Sequence, residues 1–373
     1  MHIKPKKRLG QNFLTDKNIQ RKLVASYNLK TLDHILEIGA GYGELTKLIA
    51  PNVAFVYALE IDPELCKTLR DNTKGYSNIE IINQDILRFD LEKYFIRRFK
   101  NKKIAFPPLA GSAIGVIGDD FRRFSQWYGK GSYPEGIDLP KPLKEGSYPE
   151  GIDLPKPLKE GSYPKRIDPP IPLKEGSNTF LYHKINPAPA RRGGIKVVGN
   201  IPYYITSPII EYLLKYRDKI ETVFINVQKE FAKRIVANAG SKEYGSFSCF
   251  VQYYSIPKIL FFIKKGSFSP IPKVDSCLLE LKIRQAPAVN AKDEELFFKV
   301  IRASFNKRRK TLRNSLDGII PLQKLLEFFK KYHIDSNIRP EDLTLKDFAH
   351  LTNIIQENCL PAFGGIRHRR DRQ

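Results

Sequence analysis

Cysteine is scarce in this chain. Four cysteines are spread over 373 residues, and no two of them form a CxxC pair. Disulfide-rich secreted domains and cysteine-based zinc sites need several cysteines at short, regular spacing, so the sequence argues against both. We expect the four to be reduced thiols with structural roles: Cys66, Cys249, Cys277 and Cys359.

Long apolar runs are also missing. The stretch ILFFI at 259–263 is far too short to cross a bilayer, which takes about 20 apolar residues. The basic opening MHIKPKKRLGQNF lacks the apolar segment of a secretory signal peptide. Both features predict a cytoplasmic protein without a membrane span.

Acidic residues are too few to balance the basic ones. Asp and Glu total 40 against 63 Lys and Arg, which gives a net charge of +23. This excess favours a polyanionic partner, and nucleic acid is the first expectation. A generally basic protein without such a partner is the alternative.

Strand and helix patterns alternate through the first hundred residues. The sequence predicts a strand and its turn at HILEIGAG, strands at AFVYALEID and IEIINQDI, and helices at GELTKLIA and PELCKTLRDN, with Asp16 capping a helix that runs to about Tyr27. After residue 195 the alternation returns, and its last two strands, KILFFI and DSCLLELKI, could pair as a hairpin. The order is typical of a doubly wound α/β sheet.

From about Asp293 the sequence predicts helices only, at EELFFKVIRASFN, RRKTLRNSL, LQKLLEFFKKY and LKDFAHLTNIIQEN. We therefore predict an α/β domain over 1–284, a helical RNA-binding domain over 285–358 and a basic tail over 359–373.

A tandem repeat interrupts the α/β pattern. GSYPEGIDLPKPLKE occurs at 131–145 and again at 146–160, and an altered copy follows at 161–175. Three or more prolines in each copy exclude helix, and no alternating apolar face predicts a buried strand. We interpret 101–194 as an extended, largely disordered insertion at the edge where strands begin, away from the ligand-binding edge. A folded solenoid is the alternative.

Three glycines lie between the first strand and its helix, at Gly39, Gly41 and Gly43. Glycines there let the backbone approach a ligand, and the helix start offers free N–H groups. Glu60 ends the next strand, where it can accept hydrogen bonds from ribose hydroxyls, and Asp85 follows the third. Together they indicate an adenosine-bearing cofactor and leave NAD and S-adenosylmethionine open; helix capping is the alternative for each acid.

The segment VVGNIPYYITSP places an amide, prolines and phenol rings at a strand tip. If this strand lies next to the first one, the loop emerges beside the cofactor at the ligand-binding edge. Asn200 and the carbonyl of Ile201 are hydrogen-bond acceptors for an amine, and Tyr203 offers a face on which a flipped base can stack, while Tyr204 could extend that pocket. Methyl transfer from a sulfonium to such an amine requires alignment rather than a strong base or a metal. The alternative is an ordinary strand end with two core tyrosines.

Several motifs together carry a resemblance. They are KKRLGQNFL, EIGAGYGELT, EID, NQDI, VVGNIPYYITSP, FSPIPKVDS and RASFNKRRKTLRNSL. With them the chain resembles the KsgA family of small-subunit rRNA adenine N6,N6-dimethyltransferases, over nearly its whole length apart from 101–194 and the tail.

The resemblance implies a Rossmann-like S-adenosylmethionine-dependent methyltransferase domain with a small C-terminal all-helical domain. It implies that two adjacent adenosines in the 3′-terminal hairpin of 16S rRNA are each methylated twice on the immature 30S subunit, and we expect a monomer without metal. It also implies an N-terminal segment, which includes Gln11, that closes over the cofactor. The implied catalytic residues are Asn200, Pro202 and Tyr203, and the implied cofactor-binding residues are Asn12, Leu14, Gly39, Gly41, Glu60, Asp85 and Asn200.

A basic stretch joins two of the C-terminal helices. RASFNKRRKTLR carries six basic residues and no acid, which predicts phosphate binding, with the N-terminal KPKKR as a second candidate. A solvated helix face is the alternative. The predicted RNA-binding residues are Lys307, Arg308, Arg309, Lys310 and Arg313.

Three other functions compete with this interpretation. The related large-subunit rRNA methylases share GQNFL and NIPYY, although PKVDS and KRRKTLRNSL favour the small-subunit enzyme. A non-catalytic assembly factor conflicts with the intact NIPYY loop. A small-molecule N-methyltransferase conflicts with the charge and the basic helical domain.

Overall fold

A computed structural model describes residues 6, 9–92, 94, 194–307 and 309–356. The predicted insertion over 101–193, Arg308, Cys359 and the tail lie outside these residues. The strands are β1 (Phe13–Leu14), β2 (His34–Ile38), β3 (Phe55–Glu60), β4 (Ile79–Asn83), β5 (Ile195–Gly199), β6 (Ile220–Gln228), β7 (Ser255–Ile263), β8 (Phe268–Ser269) and β9 (Ser276–Ile283). The α-helices are α1 (Lys17–Ser26), α2 (Glu44–Ile49), α3 (Pro63–Asn72), α4 (Thr206–Lys215), α5 (Lys229–Val236), α6 (Ser246–Tyr254), α7 (Glu294–Asn306), α8 (Leu312–Leu316), α9 (Leu322–Tyr332) and α10 (Leu345–Gln356).

The main sheet has seven strands in the described part of the chain, in the order β4-β3-β2-β5-β6-β9-β7. All run parallel except β9, which is antiparallel to both of its neighbours. The pairing of β2 with β5 and the hairpin of β7 with β9 confirm two expectations from the sequence. Strand order reverses direction between β2 and β5, and ligands of such sheets bind at the carboxyl ends of strands beside this switch point.

A second, two-stranded sheet was not predicted. Phe13 pairs with Ser269 and Leu14 with Phe268, while the Thr15 N–H donates to the carbonyl of Ser267. Strands of two residues are too short to show a periodic pattern, so the sequence could not reveal them. This small sheet joins the N-terminal segment to the loop that precedes β9.

Four of the described helices, α1, α3, α7 and α8, begin at a capping side chain. The Asp16 side chain accepts from the N–H groups of Asn18 and Ile19 at the start of α1, and Asp62 accepts from Glu64 N–H at the start of α3. The prediction of a helix over RRKTLRNSL was too long. Arg309 has φ +72°, which an α-helix cannot contain, and Thr311 caps α8 through the N–H of Asn314.

The C-terminal helices pack on the α/β part through aromatic rings. Phe297 and Phe298 of α7 contact Tyr253 and Tyr254 of α6, and the Glu294 carboxylate accepts hydrogen bonds from both phenols. The helical segment is therefore anchored next to the sheet.

Neither a membrane-spanning helix nor a metal-binding cluster is found in the described part of the chain. Among the described helices, none is long and apolar enough to cross a membrane. Within the same residues, no group of three or more His, Cys, Asp or Glu side chains is placed to hold a metal ion. The three described cysteines are buried and unpaired, in agreement with the structural role expected for them.

Candidate active site

A cavity lies at the carboxyl ends of β2, β3 and β5. It spans about 560 Å³ of space between atoms, part of it open to solvent. The cavity brings together most of the predicted cofactor and catalytic residues. Its lining residues are Leu9, Gly10, Gln11, Asn12, Phe13, Gly39, Gly41, Glu60, Ile61, Leu65, Asn200, Ile201, Pro202 and Tyr203.

The glycine turn forms the floor of the cavity. Gly39 has φ +73° and Gly41 has φ +57°, a backbone region that costs other residues strain. A Cβ on Gly39 would lie 3.4 Å from the backbone oxygen of Asn200. The glycine turn after β2 and the NIPY loop after β5 are therefore in direct proximity, as the sequence predicted.

Glu60 links the glycine turn to the end of β3. Its carboxylate accepts from the N–H of Gly41 and from the N–H of Asp62, both at 2.9 Å. Burial raises the pKa of this carboxyl above its ordinary value, although the two backbone N–H groups act in the opposite direction. A carboxylate has about four acceptor positions, so Glu60 retains capacity for a ligand hydroxyl.

The Asn200 amide has a defined orientation. Its Nδ2 donates to the carbonyl oxygen of Asn12 at 2.9 Å, so its Oδ1 must face the other way. On that side Asn226 Nδ2 lies 3.5 Å from the Asn200 Oδ1. Asn226 is only 1% exposed, and its own Oδ1 has no hydrogen-bond partner among the described residues. Asn226 leaves no signal in the sequence, because only the pairing of β5 with β6 places it beside Asn200.

Tyr203 is held at the rim of the cavity. Its hydroxyl shares a short hydrogen bond with the Oγ of Ser276, the buried first residue of β9. Burial raises the pKa of Tyr203, although the Ser276 contact opposes this, so the phenol is neutral near pH 7. Tyr204, which was expected to extend the pocket, instead packs against Gly10 and is not among the described lining residues.

The N-terminal segment covers one side of the cavity. The Lys6 ammonium lies 2.8 Å from a carboxylate oxygen of Asp62, and Gln11 Nε2 donates to the other oxygen at 3.3 Å. Gln11 and Asn12 line the cavity, whereas Leu14 is buried in the core beneath. Any cofactor contact of Leu14 thus stays a prediction.

Asp85 is placed differently from the other predicted residues. Its side chain caps the short turn Ile86–Arg88 by accepting from the Leu87 N–H at 3.0 Å. Asp85 is not among the described residues that line the cavity. This contact is the capping role that stood as the alternative, and a role toward an adenine ring stays a prediction.

The predicted RNA-binding loop connects α7 and α8. Lys307, Arg309, Lys310 and Arg313 are all exposed there, and none of these four lines the cavity. Among the described residues, the Lys307 ammonium makes one long contact, 3.5 Å, to the carbonyl of Asn314. The loop thus presents positive charge to solvent, as phosphate binding requires.

Three features together define the class of Rossmann-like methyltransferases. They are the sheet order, the glycine turn with Glu60, and the loop after β5 that carries Asn200. A comparison with models of protein families identifies the family within this class. The model for ribosomal RNA adenine dimethylase matches residues 2–106 and 182–357. The chain belongs to this family, and it is a methyltransferase that acts on adenine in ribosomal RNA.

The names of similar proteins agree with this family. The chain is 32% identical over 360 residues to "Ribosomal RNA small subunit methyltransferase A" of Streptococcus gordonii, covering 95% of this chain and 93% of that protein. It is 32% identical over 350 residues to the protein of the same name from Alkaliphilus oremlandii, covering 93% and 90%.

Solved structures support the fold. A dimethyladenosine transferase from Plasmodium falciparum superposes with a TM-score of 0.58 and 18% identity, covering 92% of this chain and 98% of that one. The 23S rRNA methyltransferase ErmE gives a TM-score of 0.54 and 19% identity, covering 92% and 100%. At such identities the two structures show a shared fold only.

Proposed function

We propose that this chain uses S-adenosylmethionine to dimethylate the N6 atoms of two adjacent adenosines in the 3′-terminal hairpin of 16S rRNA, acting as a monomer on the immature 30S subunit. The relatives from Streptococcus gordonii and Alkaliphilus oremlandii are named for the small subunit. The motifs PKVDS and KRRKTLRNSL favour the same choice over the large subunit.

The cavity suits the proposed cofactor. Gly39 and Gly41 have no side chain to occupy the space that the cofactor would fill. A Cβ on Gly39 would contact the Asn200 backbone, and a Cβ on Gly41 would contact the Phe13 ring. Glu60 would accept from the ribose hydroxyls, while Gln11 and Asn12 would cover the bound molecule. When bound, S-adenosylmethionine supplies an activated methyl group on a sulfonium sulfur. No acid, base or metal ion is needed from the protein for this transfer.

The orientation of the Asn200 amide is the observation that carries the proposal. Because Nδ2 is committed to the Asn12 carbonyl, Oδ1 is the atom available to accept a hydrogen from the target amine. The carbonyl of Ile201 would accept the second hydrogen. When two acceptors hold both hydrogens of the amine, the nitrogen favours a pyramidal geometry. Its lone pair is then no longer delocalised into the ring and points out of the ring plane, toward the methyl group.

Tyr203 and the basic loop complete the proposal. The Tyr203 ring, fixed through Ser276, would stack on the flipped adenine, a contact that contributes about 1–3 kcal/mol. The loop residues Lys307, Arg309, Lys310 and Arg313 would contact phosphates, together with Arg308. Recognition would then depend on RNA shape as well as on the base pocket.

Replacement of Asn200 tests the amine site. We expect Asn200→Ala to lower kcat for methyl transfer to undermethylated small subunits by roughly 100-fold or more, while the Kd for subunits stays within about threefold. Asn52→Ala is the control, because Asn52 is exposed and its amide contacts only Leu48 among the described residues. Turnover in Asn200→Ala equal to that of Asn52→Ala would refute the assignment.

A further inference from the structure

A group of lysines lies at the same sheet edge as the cavity. Lys229 follows β6 directly, and Lys264 and Lys265 follow β7. Because β6 and β7 run parallel to β5 while β9 is antiparallel, the end of β6, the end of β7 and the start of β9 meet at one edge. We call Lys229, Lys264 and Lys265, with the neighbouring Phe262, the lysine rim.

All three lysines contact Asp275, two of them through their backbone N–H groups and Lys264 through its ammonium. The Lys265 N–H donates to Asp275 Oδ1 at 3.0 Å, the Lys264 ammonium lies 3.7 Å from Asp275 Oδ2, and the Lys229 N–H donates to the Asp275 carbonyl at 3.1 Å. The Lys265 N–H and the charges of the lysines hold the pKa of Asp275 below its ordinary value. One carboxylate cannot neutralise three ammonium groups, and the Lys264 side chain is 88% exposed. The rim is therefore positive.

The rim is next to the proposed base pocket. Asp275 immediately precedes Ser276, whose hydroxyl holds the Tyr203 phenol. The rim lysines thus contact the residue that precedes, along the chain, the serine that fixes the stacking ring. A nucleotide whose base reached Tyr203 would have its neighbouring phosphates close to these lysines.

Phe262 adds an exposed aromatic surface. It is 52% exposed on the edge strand β7, and the Lys229 ammonium lies 5.3 Å from the centre of its ring. The following residue, Ile263, points into the core and is fully buried. An exposed ring beside cations is the combination with which proteins hold unpaired nucleotides, by base stacking and phosphate contact.

We propose that the lysine rim binds the RNA strand that flanks the target adenosine, with Lys229, Lys264 and Lys265 on phosphates and Phe262 against one unpaired base. This inference rests on the proposed function, because it assigns the RNA path at the same site. It adds a contact surface separate from the loop between α7 and α8.

The charge contribution is tested with Lys264→Gln/Lys265→Gln, assayed against undermethylated small ribosomal subunits between 50 and 200 mM salt. The control is Lys67→Gln/Lys74→Gln, which removes the same charge from exposed positions on or just after α3, at the far end of the sheet. We expect the rim variant to bind subunits roughly 3- to 30-fold more weakly at low salt. Its slope of log K against log salt should be shallower by about one to two. The control should match the wild type.

The stacking contribution is tested with Phe262→Leu and Phe262→Tyr. Phe262→Leu should weaken subunit binding severalfold with an unchanged salt slope, and Phe262→Tyr should restore it. Binding of S-adenosylmethionine should be the same in all variants, and thermal unfolding confirms that each is folded.

The outcomes separate the two proposals. If the wild-type protein methylates small subunits while Lys264→Gln/Lys265→Gln binds them with wild-type affinity and salt slope, the rim assignment is wrong and the proposed function stands. If the wild-type protein transfers no methyl group to them, the proposed function itself is wrong.

Discussion

At the scale of single residues, the site depends on neutral oxygen atoms held by neighbouring groups. The Asn200 amide is held between Asn12 and Asn226, and the Tyr203 hydroxyl is held by Ser276. Such groups do not change charge near pH 7. The proposed chemistry therefore depends on alignment, and loss of one contact is expected to lower kcat more than substrate affinity.

Loss of the Ser276 hydroxyl illustrates this. Ser276→Ala leaves the buried position filled but removes the only described hydrogen bond of the Tyr203 phenol. We expect kcat for methyl transfer to fall roughly three- to tenfold with S-adenosylmethionine affinity unchanged. Tyr203→Phe is the comparison, since its ring stays while the same hydrogen bond is lost. Equal turnover of wild type and both variants would show that the contact does not position the ring.

A buried carboxyl beneath the site gives a pH-dependent prediction. Glu37 of β2 accepts from the Thr46 hydroxyl at 2.7 Å, and burial raises its pKa from 4.5 to about 8, with the Glu60 charge adding to the rise. Because the folded-state pKa is raised, its contribution to stability is complete below about pH 4.5 and is lost as pH rises through about 8.

Glu37→Gln should remove this dependence. We expect the wild-type melting temperature to fall between pH 7 and 9 by more than that of Glu37→Gln, measured by scanning calorimetry. The exposed Glu243 gives the control variant, Glu243→Gln, which should follow the wild type. Parallel curves for wild type and Glu37→Gln would contradict the raised pKa.

The residues that the sequence could predict are those whose role follows from position along one strand or turn. Gly39, Glu60 and Asn200 each end or follow a parallel strand, so their convergence follows from the α/β order alone. Asn226 and Ser276 could not be predicted in the same way. Their partners are set by which strands lie side by side, and the insertion of β9 between β6 and β7 is not visible in local patterns.

At the scale of elements, the N-terminal segment is held in place by contacts with several parts of the fold. Lys6 and Gln11 contact Asp62, Asn12 contacts Asn200, and β1 pairs with β8. These contacts connect the cover of the cavity to β3, β5 and the loop before β9. A substitution that removes one of these contacts should therefore affect cofactor affinity more than global stability.

Asp62→Asn tests the contact between Asp62 and the N-terminal segment. Asparagine still caps α3, but the ion pair with Lys6 is lost, so we expect the Kd for S-adenosylmethionine to rise about three- to tenfold and the melting temperature to change by about 2 °C or less. Asp71→Asn is the control, because its ion pair with Lys74 is exposed on both sides. Isothermal titration calorimetry gives the affinities, and an unchanged Kd in Asp62→Asn would show that the cover does not contribute to binding.

Helices were predicted more accurately than short strands. The helices predicted at PELCKTLRDN, EELFFKVIRASFN and LQKLLEFFKKY match the observed bounds of α3, α7 and α9. The positive φ of Arg309, which ends the predicted helix over RRKTLRNSL, depends on the turn into α8 and left no periodic signal.

At the scale of the whole molecule, the regular structure continues on both sides of residues 101–193. β5 begins at Ile195, at the sheet edge opposite the cavity, and pairs in parallel with β2 and β6. The family model also matches on both sides and leaves 107–181 unmatched. We infer that this segment is not part of the methyltransferase machinery.

Deletion tests that inference. A chain in which a short glycine-serine linker replaces 107–181 should keep methyl-transfer activity within about twofold and its melting temperature within a few degrees of the full chain. Circular dichroism and the transfer assay provide the two measurements. An unfolded or inactive deletion variant would show that the segment is integral.

The most direct test of the central claim is transfer of labelled methyl from S-adenosylmethionine to undermethylated subunits, followed by mapping of the modified bases in both rRNAs. The account predicts N6,N6-dimethyladenosine at two adjacent positions in the 3′-terminal hairpin of the small-subunit rRNA, and no such product with Asn200→Ala. Label confined to large-subunit rRNA, or product formed equally by Asn200→Ala, would contradict it.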